Sequence, residues 1–138
     1  MNLGKILLLL LLSSLILGCA TVRNFTMCSD FEKVAQSYAQ LIRWNELESA
    51  MMTYVGLKER DEYLERIKAA KDVKFFDYRI KSLDCKPEKK EATAIVEFDY
   101  FRAPSVRVHT AKDQQKWSFG DENGKGSWQL KSPLPKFE

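Results

Sequence analysis

The feature that most limits how this chain can fold is a change of period near Lys71. Before it, apolar residues recur every three or four positions; after it, they recur every second position. Phe31, Val34, Ala35, Tyr38, Leu41 and Ile42 fall on one stripe of a helix. Ser29-Asp-Phe-Glu32 has the pattern of a capping box and predicts where that helix opens. Trp44, Leu47, Met51, Tyr54 and Val55 continue a similar stripe beyond an expected bend between Arg43 and Asn45, and Gly56 is placed to end it. A third, shorter helix is expected from about Lys58 to Lys71, with Glu62 and Arg66 four residues apart as a supporting pair.

Beyond Lys71 the spacing is that of half-buried strands. Phe76, Tyr78 and Ile80 alternate with Asp77, Arg79 and Lys81. Lys86-Pro-Glu-Lys-Lys90 reads as a polar turn, after which Ala92, Ala94, Val96, Phe98 and Tyr100 alternate with Thr93, Ile95, Glu97 and Asp99. Ala103-Pro-Ser105 breaks this second strand. A third strand is expected from about Val106 to Phe119. Its apolar parity begins on Val106 and Val108 but ends on Trp117 and Phe119, which predicts a bulge or bend between them. Gly120 to Gly126 is rich in turn residues, and Ser127-Trp-Gln-Leu-Lys131 reads as a last strand before Pro133 and Pro135.

Helices followed by four strands in hairpin succession predict an α+β domain, with N-terminal helices packed on a curved, mainly antiparallel four-stranded sheet. The long first helix, the Trp44-to-Met52 segment and the strands ending in Lys116-Trp-Ser-Phe119 and Gly126-Ser-Trp-Gln-Leu130 resemble the nuclear transport factor 2-like α+β cone. The resemblance spans roughly residues 29–137 and rests on element order and tryptophan placement. It implies a pocket at the open end of the cone, which some members use for isomerase or dehydratase chemistry with buried Asp, Tyr or His. A different helix-on-sheet arrangement is the alternative.

The N-terminus carries a second, separate signal. Lys5 precedes an apolar run from Ile6 to Leu12, followed by Ser13, Ser14, Leu15, Ile16 and Leu17. That run is short for a bilayer-spanning helix, which needs about 20 apolar residues, and a short basic start before it is the mark of a secretion signal. Leu15-Ile-Leu-Gly-Cys19 resembles the lipobox of bacterial lipoproteins, although Ile16 and Leu17 depart from the commonest residues there. The resemblance implies that residues 1–18 are removed and that the Cys19 thiol carries lipid. Two or three acyl chains hold a protein at a membrane where a single chain does so only marginally. Ala20 stands where aspartate retains Gram-negative members at the inner membrane, so the family pattern implies outer-membrane attachment facing the periplasm. In a Gram-positive source the anchor would be the plasma membrane. The expected division is therefore a signal over 1–18, a lipidated tether over 19–28 with little structure of its own, and one α+β domain over 29–138. Extended, the ten residues from Cys19 to Ser29 reach at most about 35 Å.

Beyond the signal the chain keeps 21 basic and 19 acidic side chains, a net charge of +2 that gives no case for nucleic acid. Of three cysteines, assigning Cys19 to lipid leaves Cys28 and Cys85 as an even pair. In an oxidising compartment they form a disulfide or remain two free thiols. Two cysteines without a neighbouring histidine do not make a metal site. Asp121-Glu-Asn123 has the start of a calcium loop, but Lys125 and Ser132 stand where further ligands belong. No metal or cofactor is expected.

Candidates for chemistry are few. Asp77 and Asp99 lie near Tyr78, Tyr100 and His109, but their parity points them away from the helices, where nothing would raise a carboxyl pKa. His109, the one histidine, is expected to be solvated. Tyr78 and Tyr100 are candidates to line a pocket, with core packing the alternative. The leading expectation is a membrane-attached, non-catalytic module that binds an envelope protein or a small apolar ligand. A small isomerase- or hydrolase-like enzyme and a purely structural envelope protein are the alternatives.

Overall fold

The computed structural model describes residues 3–120 and 126–138, without the side chains of residues 5–20. Three helices come first: α1 (Leu3–Arg43), α2 (Leu47–Tyr54) and, after a single 3-10 turn at Leu57–Glu59, α3 (Arg60–Ala69). Four strands follow: β1 (Val73–Lys86), β2 (Glu91–Arg102), β3 (His109–Gly120) and β4 (Ser127–Leu130). They pair antiparallel in the order β1-β2-β3-β4, and the helices pack on one face of this curved, unclosed sheet. The chain is thus an α+β domain, as the change of period predicts. Among the described residues no helix is long and apolar enough to cross a membrane.

The core lies between α1 and the sheet. Phe31, Ala35, Tyr38, Ala39 and Ile42 form the buried stripe of α1 and meet Ala92, Ala94, Val96, Phe98 and Tyr100 of β2. At the centre Trp117 packs edge-on against Phe31, Tyr38 and Tyr54, with ring centroids 6.0, 5.5 and 6.2 Å away. Edge-to-face rings at such distances add to the burial of each aromatic side chain. The segment after β4 completes the core: Leu134 and Phe137 are buried, and Phe137 lies 4.9 Å from Phe75 and 5.1 Å from Tyr100. Arg66 donates to the Leu134 carbonyl, Arg102 to that of Phe137, and the Tyr100 hydroxyl to that of Glu138.

Several expectations need correction. The helix does not open at Ser29; α1 already runs through residues 20–28, which are not a loose tether. Contacts from the sheet extend it past the capping box. Trp128 donates its indole N–H to the Met27 carbonyl at 3.0 Å, Met27 packs on the core, and Cys28 is joined to Cys85 of β1 in a disulfide. Thr26 also bonds back to the Val22 carbonyl one turn earlier. The expected signal over 1–18, apart from Leu3 and Gly4, and the side chain of Cys19, expected to carry lipid, lie outside the residues whose side chains are described.

The bend between Arg43 and Asn45 is present, with Asn45 at φ 60°. It turns Trp44 out of the stripe: the residue is 62% exposed, with the Arg43 guanidinium 4.8 Å from its ring centroid. In β1 the register slips between Phe75 and Asp77 and again between Ile80 and Ser82. Each slip inserts one residue and flips the parity. Phe75 therefore faces the core and Phe76 is turned outward, while Tyr78, Ile80, Leu83 and Cys85 lie against the core edge.

The expected bulge in the third strand is absent. β3 pairs with β2 without a slip from His109 to Ser118, and Val106 and Val108 lie before the strand and are exposed. The parity problem is solved differently, by turning Asp113 and Gln115 inward. Asp121 to Asn123, the segment rejected as a calcium loop, falls outside the described residues.

Candidate functional site

Tyr78 and Tyr100, the residues expected to line a pocket, do not face one of the clefts described below. Tyr100 is buried among Phe75, Phe137 and His109, and its hydroxyl is satisfied by the Glu138 carbonyl at 2.7 Å. His109, expected in solvent, is half-buried with its ring stacked 5.5 Å from that of Tyr100. Tyr78 is half-buried, 6.4 Å from Phe98 and opposite it on β2.

Asp77 and Asp99 point to the outer face, as parity requires. Arg79 crosses between them, 2.6 Å and 2.9 Å from the two oxygens of Asp99 and 3.3 Å from Glu97. Thr110 adds a third hydrogen bond to Asp99 at 2.7 Å. The Arg79 guanidinium, and after it the Thr110 hydroxyl, hold the Asp99 carboxyl down at about 2. A carboxylate so stabilised is a poor proton acceptor near neutrality.

The interior holds a polar cluster that parity alone did not reveal. Gln115 donates from its amide nitrogen to Asp113 at 2.8 Å and accepts from the Trp117 indole N–H at 3.0 Å. Nearby, the hydroxyls of Tyr38 and Tyr63 are 2.6 Å apart. Burial pushes the Asp113 carboxyl up to about 7, against the opposing effect of the Gln115 hydrogen bond. Burial also raises Tyr38 and Tyr63 well above the ordinary phenol range, and the charge of Asp113 adds to both shifts. The one available signal was the odd parity of β3: inward strand positions filled by Asp and Gln require polar partners in the core. Asp113 and Gln115 are only 3% and 1% exposed, so this cluster is closed to solvent.

Open space lies at the edge of the domain. A cleft of about 590 Å³ sits between the start of α2, the end of α3 and the start of β1. Its lining includes buried Leu47, Ile67 and Val73 below and Lys68, Lys71 and Lys74 above. A smaller hollow of about 320 Å³ lies beside exposed Trp44, between α1 and Tyr54. Another, of about 400 Å³, is bounded by α1, Tyr54, Phe119 and Trp128. Among the described residues no three His, Cys, Asp or Glu side chains come together to hold a metal ion. The chain matches no family model, no curated protein and no solved structure.

Proposed function

We propose that this chain is an exported lipoprotein, anchored through Cys19 in the cell envelope, whose α+β domain is a non-catalytic binding module. In a Gram-negative source it would sit on the outer membrane and face the periplasm. The observation that carries the binding reading is the contrast between a closed interior and an open, apolar-floored cleft. The space under the helices is filled by Trp117 and its ring neighbours, and the outer carboxylates are paired, whereas Leu47, Ile67 and Val73 floor a cleft open to solvent. Small-molecule sites are concave and mostly apolar, with a few polar groups that set orientation. The resemblance to the nuclear transport factor 2-like cone agrees with this element order and supplies the precedent for ligand-holding domains.

A second reading, a small enzyme, draws on Asp113, whose carboxyl titrates near neutrality beside two tyrosines. Its burial without a cleft weighs against that reading. Asp113→Asn tests it, because an enzyme using this group would lose turnover while a binding module keeps its ligand.

Two experiments test the main reading. Replacing Cys19 with Ser should abolish lipid labelling and leave the precursor uncut; normal membrane retention of that variant would refute the anchor. Thermal shift and co-purification against envelope extracts should reveal a ligand or partner, and a blank result in both would count against a binding module.

A further inference from the structure

The cleft at the end of α3 has a chemistry more specific than apolar. Leu47, Ile67, Ala70 and Val73 make its floor, all less than a tenth exposed, and Leu64 stands at the lip. Lys68 stands in the last turn of α3 and Lys71 in the turn that follows it, and Lys74 follows buried Val73 on the outward parity of β1. Three ammonium groups thus share one rim with Glu48, and Asp72, itself bonded to Arg102, lies close enough to Lys71 to feel its charge. Lys68 shares a solvent-exposed ion pair with Glu65 at 2.7 Å, a contact weak enough to be readily exchanged. Lys71 and Lys74 make no ion pair with a described residue.

A buried apolar floor beneath a cationic rim matches a molecule with an anionic head and an apolar tail. With Glu48 on the rim and Glu65 paired to Lys68, the three lysines leave a net charge of +1, which suits a monoanion better than a doubly charged phosphate head. Lysine also offers compact point charges, not the planar fork with which arginine clasps phosphate. The volume of about 590 Å³ lies within the roughly 300–1,000 Å³ usual for small-ligand sites.

Position narrows the source of such a molecule. The cleft is at the Arg43 end of α1, and the helix from Thr21 to Arg43 is about 33 Å long at 1.5 Å per residue. Anchored at Cys19, the domain would carry this cleft at the end of α1 remote from its own membrane. A lipid still seated in that membrane would lie out of reach, whereas a free single-chain amphiphile in the aqueous space would not.

We infer that the cleft rimmed by Lys68, Lys71 and Lys74 binds the free carboxylate of a single-chain fatty acid, with the first part of its chain on Leu47, Ile67 and Val73. This rests on the binding-module reading and specifies its ligand.

The test uses the full lipidated chain in nanodiscs of zwitterionic lipid, titrated with 13C-carboxyl dodecanoate and followed by NMR against empty nanodiscs. Saturable binding is expected, weakened more than tenfold by K71E/K74E and also by rising salt, with the melting temperature of that variant unchanged. A second variant, Leu64→Asp, should weaken binding without touching the lysines. Neutral dodecanol and dodecyl phosphate form the comparison arms, and both should bind more weakly than dodecanoate. Equal binding of dodecanol, preference for the phosphate, or unchanged affinity in K71E/K74E would overturn the assignment. No saturable dodecanoate binding would overturn it too, while a partner recovered from envelope extracts would leave the broader binding-module reading intact.

Discussion

The hydroxyls of Tyr38 on α1 and Tyr63 on α3 lie 2.6 Å apart inside the domain, each the other's side-chain hydrogen-bond partner. Leaving a buried polar group unpaired costs about 1–3 kcal/mol, whereas removing both partners at once is far gentler. Tyr38→Phe and Tyr63→Phe should therefore each lower stability by about 1–3 kcal/mol. The double variant should lose clearly less than the sum. Urea titrations of the three variants check this, and strict additivity would show that the two hydroxyls are not coupled.

Asp113 should make the domain less stable as pH rises. Its carboxyl is pushed up to about 7 in the fold by burial, against an ordinary value near 4 in the unfolded chain. Between those values the folded state holds the extra proton, so stability falls from about pH 4 to pH 7 and is flat above. Asp113→Asn keeps an acceptor for Gln115 and removes the titration. Melting curves at pH 5 and pH 8 should show the variant gaining more at pH 8, by roughly 2–3 kcal/mol, the part of this shift that falls between those two pH values.

On the outer face the sign is opposite. Arg79 and Thr110 lower the Asp99 carboxyl to about 2, so its contribution is complete above pH 4 and is lost as pH falls toward 2. Arg79→Ala should move the Asp99 titration midpoint upward toward 4, read from its carboxyl carbon by NMR. A midpoint that stays put would place the stabilisation elsewhere.

The Cys28–Cys85 disulfide ties α1 to β1 across 57 positions of sequence. A loop of that length restricts the unfolded chain by about 4 kcal/mol in the chain-entropy treatment. Cys85→Ala should lower the denaturation midpoint accordingly. The first changes in amide exchange should appear around Met27, where the upstream part of α1 meets the sheet.

The strand β2 could be read from its sequence because five alternating apolar residues leave one consistent face. The slip at Phe76 could not, since a single inserted residue reverses parity while leaving the local composition unchanged. Asp113 and Gln115 were hidden for a related reason. Polar residues on a strand ordinarily face water, and only the indole of Trp117 and the rings of α1 make an inward position tolerable. The helical course of residues 20–28 depends on Trp128, 101 positions from Met27, so no local pattern could announce it. The cleft escaped notice because its floor and rim come from three separate elements, each with an ordinary surface composition of its own.

Because α1 is helical from Leu3 into the core, the stretch before Met27 sets direction as well as distance. A flexible tether of changed length only moves its cargo nearer or farther. A helix cannot be lengthened by one residue without turning about 100°. Every insertion or deletion between Thr21 and Met27 therefore swings the lysine-rimmed cleft to a new compass bearing around the helix axis.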